Sequence, residues 1–404
     1  MIALDLARWA AGLQPTDDDL SLARRALIDT VAVSVAAHGD PLLEIARPLG
    51  PGGRLAVAAH VLDYDDLHLP STSHISAVCV PAAVAAGGDA RSYLAAAGVM
   101  ARLGRRLGWG HYAAGWHATC TAGAPAAAVA AGIAAGLDVG GLARAMALAV
   151  PAAGGNHRAF GTHAKSLQVG FAVDAGLRAA KLAAAGATAD PHAFDAWLEL
   201  VGASGDGEAG EESDDDTAIP GGLAIKLHPC CYALQRPIAA VRAAVADGDA
   251  VAPDGIARIG VSAPVATLRP LIHDRPTSGL EGKFSLGYGI AATILDGSPG
   301  LASFTDAAVG RPQAEGLLSR LEVTEAPGSG DLLAGTVEVE LRTTSGSVLM
   351  AAVDVPPGAP GRPPTEAELA DKVGDCAGAQ ADAVAGLTWD VAADQVPALV
   401  DAGP

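Results

Sequence analysis

The chain has 404 residues, enough for two or more compact units with a sizeable hydrophobic core. Half of the residues are hydrophobic but only 4% are aromatic, and there are 50 glycines, so close packing of helices through small side chains is favoured. The formal net charge of −19 argues against nonspecific binding to nucleic acid or to an acidic membrane surface, because both depend on basic patches. We therefore expect neither nucleic acid nor a membrane as a partner.

The first residues lack the basic start, long apolar run and cleavage signal of a secretory peptide. The Ala/Gly-rich stretch 118–150 is interrupted by Pro125, Asp138 and Arg144, which fits a buried helix pair better than a membrane span. The five cysteines do not have zinc-ribbon or iron–sulfur spacing. The sequence thus predicts a cytoplasmic, reduced protein that holds no metal.

The first half of the chain has apolar residues at helical spacing. Residues 40–55 are interrupted by Pro and Gly and are predicted to form a loop. Predicted helices cover 3–14, 18–37, 54–66, 76–87, 89–107, 118–136, 140–151, 165–186 and 191–202. Because no strand-like alternation interrupts them, this part is predicted to be an all-helical domain.

The composition changes at 203–222, where glycine and acidic residues indicate a surface connection. The following part is predicted to be α+β. It has a helix at Gln235–Ala246, a strand at 255–263 and a β-hairpin formed by 335–342 and 348–355. Helices at 365–376 and 379–386 are expected to return to the first domain. The predicted fold is mainly α, with a helical domain (1–222 and 361–404) and an inserted smaller α+β domain (223–360).

The stretch from His60 to Pro81 is unusually rich in ionisable groups between apolar residues. It contains three carboxylates and three histidines: Asp63, Asp65, Asp66, His60, His68 and His74. Burial of an unpaired charge is costly, so such a cluster needs either partners or a chemical role. The alternative is a helix end with an Asp cap, followed by a polar turn before the next helix at Ser76.

Four further segments combine unusual residues. His111 and His117 precede the Ala-rich helix, where capping is the alternative role, and Lys165 begins an otherwise apolar helix, from which it could simply extend to solvent. The segments Lys-Leu-His-Pro-Cys-Cys-Tyr (226–232) and Lys-Phe-Ser-Leu-Gly-Tyr (283–288) follow. No Gly-x-Ser-x-Gly or Walker-type loop is present in the sequence.

In this order the segments resemble the MmgE/PrpD family of 2-methylcitrate dehydratases and cis-aconitate decarboxylases. The resemblance rests on Asp-Tyr-Asp-Asp…His, Gly-Trp-His, the Lys165 segment, Lys-x-x-Pro-Cys-Cys and Lys-Phe-Ser-x-x-Tyr. It covers nearly the whole chain. The combination is specific for the family and much less so for the reaction, because members dehydrate, decarboxylate or epimerise related acids.

The resemblance implies a large helical domain completed by C-terminal helices, with the inserted α+β domain as a lid, and a cleft between them that binds a small di- or tricarboxylate. It also implies a homodimer formed through the helical domain and catalysis without metal or organic cofactor. The residues that match catalytic positions are Asp63, His74, His117 and Lys165. Those expected to contact substrate are Lys226, Cys231 and Tyr288.

The sequence departs from the family pattern near these positions. Leu67 stands where many members have Thr, Ser166 and Gln168 replace the usual Pro and His, and Cys231 stands where the decarboxylases have a pocket histidine. The last change argues against cis-aconitate decarboxylation. We therefore expect a cofactor-independent lyase, most consistent with dehydration. Decarboxylation, isomerisation or epimerisation, and a binding protein that has lost the chemistry, remain as alternatives.

For the catalytic groups, we expect His74 and His117 to share a pocket with Asp63 and to transfer protons. Asp63 would accept a hydrogen bond from one of the imidazoles and favour its charged form. The two lysines, Lys165 and Lys226, would bind substrate carboxylates.

Overall fold

The computed structural model describes residues 1–160, 162–190, 192–202, 217–246, 252–327 and 335–404. The protein is mainly α-helical and contains one four-stranded mixed sheet. It divides into two compact units: unit 1 comprises Met1–Ile225 with Ala370–Pro404, and unit 2 comprises Lys226–Leu369. Most of the acidic connection predicted at 203–222 lies outside the described residues.

The N-terminal part of unit 1 is helical. Its helices are α1 (Ile2–Gly12), α2 (Asp17–Ala36), α3 (Pro41–Ile45), α4 (Pro51–Val61), α5 (Ser76–Ala85), α6 (Ala90–Ala113), α7 (Ala118–Ala134), α8 (Val139–Ala149), α9 (Ala164–Ala184) and α10 (His192–Leu200). Each helix predicted for this region is confirmed, although α4 ends at Val61 rather than at residue 66.

The prediction of a loop over 40–55 was wrong in part. Asp40 caps α3 by accepting a hydrogen bond from the backbone N–H of Leu42 at 2.8 Å, and Pro51 is the first residue of α4. Proline is favourable at the first helical position, where the missing N–H would have no partner within the helix. The prolines in this region therefore begin helices instead of interrupting them.

The core of unit 1 is built around α7, whose residues are buried from Ala118 to Gly132. Helix α9 crosses it closely at Gly176, where a Cβ atom would lie 2.5 Å from the Cβ of Ala127. Small residues thus permit the contact, as the alanine- and glycine-rich composition suggested. Among the helices that the structure describes, none is both long and apolar enough to cross a membrane.

The C-terminal part of the chain contains α17 (Glu366–Ala377), α18 (Ala381–Ala385) and α19 (Trp389–Ala402). Helix α19 was not predicted. Helices α18 and α19 pack on α2. Lys372 is buried: its Nζ lies 2.5 Å from Asp29 Oδ1, donates to the Tyr64 carbonyl at 2.8 Å and lies 4.0 Å from the centre of the Tyr64 ring. The indole N–H of Trp389 donates to the Ala23 carbonyl at 3.0 Å.

Unit 2 is α+β. Its elements are α11 (Gln235–Ala246), β1 (Ile256–Pro264), α12 (Val265–Leu268), α13 (Gly279–Gly282), α14 (Leu286–Asp296), α15 (Asp306–Val309), α16 (Pro312–Leu318), β2 (Leu321–Ala326), β3 (Val337–Thr343) and β4 (Val348–Val353). The strand order is β2-β1-β3-β4, with β1 parallel to β2 and antiparallel to β3, and β3 antiparallel to β4.

The predicted hairpin is confirmed by β3 and β4. Val337, Val339 and Leu341 of β3 are buried, and the alternate residues face outward, as the two-residue period requires. Strand β2 was missed, because it is an edge strand without a fully buried position and has no apolar face for the sequence to reveal. Helices α11 and α14 pack with the sheet to form the core of unit 2.

Candidate active site

The segment that follows α4 forms the centre of a cluster of ionisable side chains in unit 1. The chain leaves the helix at Val61, and Asp63 adopts a left-handed backbone conformation with φ of 56°. Aspartate tolerates this region better than most residues, although a cost remains. The next helix begins at Ser76, whose backbone N–H donates to Asp66 Oδ1 at 3.1 Å. The turn at Asp63 therefore lets successive carboxylates point to different partners.

Asp65 faces two imidazoles. Its Oδ2 accepts a hydrogen bond from His60 Nδ1 at 2.7 Å and lies 3.0 Å from His74 Nδ1. The contact with His74 is short but lacks the geometry of a hydrogen bond, so it is electrostatic. Sequence analysis gave the role of imidazole partner to Asp63, whereas these contacts assign it to Asp65.

Burial and charge act in opposite directions on this group. Burial by itself raises the pKa of Asp65, but its interactions with His60 and His74 outweigh burial and hold that pKa well below its ordinary value. Burial lowers the pKa of His60 to about 4, which exceeds the opposing effect of Asp65. Near neutral pH, Asp65 is therefore ionised and His60 is neutral.

Asp63 instead pairs with Lys165. Lys165 Nζ donates to Asp63 Oδ1 at 2.9 Å, and 17% of the lysine side chain and 11% of the aspartate side chain are exposed. Lys165 comes from the first turn of α9, and its Nζ lies 5.9 Å from the centre of the Phe160 ring. The lysine thus points inward to a specific carboxylate, which does not fit the alternative of a lysine that simply extends to solvent.

His117 occupies the N-cap position of α7 without a capping hydrogen bond from its side chain, and it is 2% exposed. Its backbone N–H donates to the Gly155 carbonyl at 3.0 Å, and its Nδ1 lies 2.7 Å from Gln168 Nε2 and 3.3 Å from Cys120 Sγ. Burial is the main cause that holds the pKa of His117 well below its ordinary value, so the ring is neutral near pH 7.

The three histidines form one cluster. The ring centre of His60 lies 4.8 Å from that of His74 and 5.9 Å from that of His117. The ring of Phe160 meets that of His117 edge to face at 5.0 Å. The structure thus brings His74 and His117 together through His60, a residue that sequence analysis noted but did not select.

Other ionisable groups of the sequence motifs have structural partners. His68 contacts Ser71 Oγ through Nδ1 at 2.6 Å and the Pro220 carbonyl through Nε2 at 2.8 Å. His111 contacts the Val201 carbonyl through Nδ1 at 2.7 Å and Thr121 Oγ1 through Nε2 at 3.1 Å. Because both ring nitrogens of each are occupied, these two histidines hold the fold together.

The remaining predicted site residues belong to unit 2. Lys226 is buried, with 2% exposure. The backbone N–H of Cys231 donates to the Lys283 carbonyl at 3.0 Å, which brings the two motifs of this unit side by side. Tyr288 is fully buried, and its hydroxyl donates to the Ser303 carbonyl. The tyrosine is therefore part of the core of unit 2, with its hydroxyl occupied.

A possible metal-ligand set is present in the cluster, although the sequence analysis identified none. His60, Asp65 and His74 each offer one ligand atom, and these atoms lie within 4.8 Å of one another. The residue types suit a divalent cation. The separation of 2.7 Å between His60 Nδ1 and Asp65 Oδ2 is nevertheless that of a direct hydrogen bond. The contacts thus favour a hydrogen-bonded group.

Sequence reasoning missed Asp65 and Gln168 as members of the site. Asp65 lies in the acidic segment that drew attention, but nothing in the sequence shows which carboxylate faces the imidazoles. Gln168 was noted only as a departure from a family pattern. Its position one turn after Lys165, on the same face of α9, was a usable signal.

Family models match both parts of the chain. The model described as the MmgE/PrpD N-terminal domain matches residues 53–198, and the model described as the MmgE/PrpD C-terminal domain matches residues 228–389. Comparison with curated proteins gives no match. The first model spans Asp63, His74, His117 and Lys165, which the fold brings into the cluster described above. The chain therefore belongs to the MmgE/PrpD family.

Proposed function

We propose that the protein is a lyase that acts on a small di- or tricarboxylate, most consistent with dehydration, by acid–base chemistry of His, Asp and Lys side chains. Membership of the MmgE/PrpD family indicates a lyase-type activity. The observation that carries the proposal is that the rings of His74 and His117 both contact the ring of His60, while Asp65 Oδ2 contacts both His60 and His74.

This arrangement suits the removal of water from a hydroxy acid. A base takes the proton from the carbon alpha to a carboxylate, the bond to the hydroxyl oxygen breaks, and the departing hydroxyl receives a proton and leaves as water. Imidazole is suited to both transfers because its unperturbed pKa lies near neutrality. His74 is the more accessible of the two candidates, with 14% of its side chain exposed.

Lys165 supports binding of an anionic substrate. A lysine ammonium has three N–H donors, and one of them is directed to Asp63. A substrate carboxylate that approaches this ammonium would gain a charge-assisted hydrogen bond. We propose Lys226 and Cys231 as further substrate contacts from the family resemblance. Tyr288 remains a proposal on the same ground, although its hydroxyl is occupied in unit 2.

We also propose a homodimer formed through the helical unit. Phe171 and Leu182 of α9 are 54% and 47% exposed, and their separation of three helical turns puts them on one face. Exposed Arg178 lies on this face between them, so the face offers two apolar side chains and one charge to a second copy of the chain. Light scattering tests the dimer. We expect the wild type to be a dimer and the Phe171→Glu variant to be a monomer. A monomeric wild type contradicts the proposal.

The test of function is incubation of the protein with a panel of acids, once in H2O and once in D2O. The products are then identified by mass spectrometry. The panel contains 2-methylcitrate, citrate, cis-aconitate and an epimerisable amino or imino dicarboxylate. Loss of the mass of water supports dehydration, loss of CO2 supports decarboxylation, and exchange of deuterium without net change supports epimerisation. Binding of these acids without turnover identifies a binding protein and refutes the enzymatic proposal.

A further inference from the structure

The side chain of Gln168 has a defined orientation beside His117. Its Oε1 accepts a hydrogen bond from the backbone N–H of Asn156 at 3.1 Å, and that N–H can only donate. The other end of the amide, Nε2, therefore faces His117 Nδ1 at 2.7 Å. A rotated amide would oppose two donors at Asn156, so the backbone fixes which atom meets the imidazole.

This orientation determines the proton position on His117. An amide Nε2 has two N–H donors and cannot accept, so His117 Nδ1 must accept. The Cys120 thiol lies 3.3 Å from the same nitrogen, and burial raises its pKa, which keeps the thiol protonated as a second donor. The Gln168 amide and the Cys120 thiol can therefore both donate to Nδ1 only when this atom carries a lone pair.

The ring also carries no net charge. An imidazolium would carry an N–H on both ring nitrogens, and the N–H at Nδ1 would then face the donors of Gln168 and Cys120. A neutral imidazole has one N–H, and because Nδ1 accepts, that N–H is at Nε2. His117 therefore offers a ligand a hydrogen-bond donor, and its lone pair is already engaged.

His74 has the opposite arrangement. Its Nδ1 lies 3.0 Å from Asp65 Oδ2, which is ionised. A lone pair on Nδ1 would repel this oxygen, so a proton is favoured on Nδ1, and Nε2 is the ring atom left to exchange a proton with a ligand. Of these two imidazoles, His74 is the one suited to accept a proton.

We infer that Gln168 is a positioning residue that holds His117 in its Nε2–H tautomer, which makes His117 a neutral hydrogen-bond donor to the developing charge on the substrate carboxylate, while His74 transfers the protons. This inference rests on the proposed function for the roles toward substrate. His74 Nε2 takes the proton from the carbon, and the resulting imidazolium returns it to the departing hydroxyl, so that water leaves and the ring is again neutral.

Close packing supports this role for Gln168. Gly155 has φ of 107°, and a Cβ atom there would lie 2.8 Å from Cys120 Cβ and 3.1 Å from Gln168 Oε1. A side chain at residue 155 would therefore displace the amide or the thiol. The backbone around residues 155 and 156 thus leaves space for both donors and also supplies the N–H that orients Gln168.

The first test is 15N NMR of the imidazoles in the protein without substrate. The His117 resonances are assigned by their loss in His117→Asn. We expect an unprotonated Nδ1 and a protonated Nε2 in the wild type. In Gln168→Glu, a carboxylate of nearly the same size should draw a proton to Nδ1. A protonated Nδ1 in the wild type, or an unchanged tautomer in Gln168→Glu, overturns the inference.

The second test is kinetic, with an acid from the panel that is turned over. Gln168→Glu should lower kcat at least a hundredfold with little change in KM, as expected for loss of a donor to developing charge. Gln168→Met should also lower kcat, because it removes the amide donor. His163→Glu adds the same charge at an exposed position near the start of α9 and should leave kcat unchanged. Wild-type kcat in both Gln168 variants overturns the inference.

The two proposals can fail separately. If no acid is turned over but the NMR experiment finds the expected tautomers, the proposed function is refuted and the positioning of His117 by Gln168 is supported. If turnover occurs but His117 has its proton on Nδ1, the proposed function stands and the role of Gln168 is refuted.

Discussion

A double-mutant cycle on Asp63 and Lys165 tests the charged part of the site most directly. The two variants are Asp63→Asn and Lys165→Met, alone and combined. Asparagine tolerates the left-handed conformation that Asp63 adopts, so Asp63→Asn removes charge without new backbone strain. Lys165→Met keeps much of the apolar length of the lysine and removes its ammonium.

The geometry gives the expected magnitude. Lys165 Nζ lies 2.9 Å from Asp63 Oδ1, and even two unit charges about 4 Å apart attract by about 4 kcal/mol at an effective dielectric constant of 20. Partial exposure of the pair, at 17% and 11%, and the cost of desolvation reduce this value. We expect the two substitutions to be coupled by about 2 kcal/mol in the free energy of unfolding.

The assay is urea unfolding of the full-length protein at low ionic strength, monitored by far-UV circular dichroism. Each single variant should be destabilised, and the double variant should lose about 2 kcal/mol less than the sum of the two single losses. Asp63→Gly serves as a control that retains the backbone conformation without any side chain. If the single effects add within about 0.5 kcal/mol, the ion pair contributes nothing measurable and the reasoning is refuted.

The other predictions concern catalysis, metal dependence and acid stability. His74→Ala, which removes the proton-transfer group, and His117→Ala, which removes the hydrogen-bond donor, should each reduce turnover at least a hundredfold; normal turnover in both refutes their roles. Lys226→Met should weaken kcat/KM more than tenfold while circular dichroism shows a retained fold, and unchanged kinetics contradict substrate binding. Activity should survive exhaustive chelation, whereas loss with recovery on adding a divalent cation contradicts cofactor independence. Burial lowers the pKa of both His60 and His68 to about 4, below the unfolded value, so each contributes stability above pH 6.5 that is lost as pH falls toward 4. Between pH 7.5 and pH 5, the free energy of unfolding measured in urea should fall by about 2 kcal/mol for each histidine. The fall should be smaller in His68→Gln, and a fall equal to that of the wild type contradicts this.

The sequence was most informative where one periodic pattern determined the structure. Val337, Val339 and Leu341 alternate with charged residues, and this pattern predicts a strand because only a strand puts all three on one face that can be buried. The helices of unit 1 were equally visible from their apolar positions. By contrast, strand β2 has no buried face, and the helices that begin at Pro41 and Pro51 were concealed by residues that usually interrupt helices.

The site could be predicted as a set of segments but not as a set of contacts. The acidic segment, His117 and Lys165 were recognised, yet the sequence assigned the imidazoles to Asp63. Which carboxylate they meet depends on the backbone turn at Asp63, with φ of 56°, and aspartates so close in sequence give no local sign of this. The hydrogen bond of Gln168 depends on the backbone N–H of Asn156, which no side-chain pattern encodes.

The buried contacts of Lys372 have a consequence for how the protein is made. Its partner Tyr64 lies inside the acidic segment and is synthesised 308 residues earlier on the ribosome. Until Lys372 emerges, Asp29 lacks the cation that neutralises it, and an uncompensated charge is costly to bury. The contacts that Lys372 makes with Asp29 and Tyr64 can therefore form only after synthesis has passed α17.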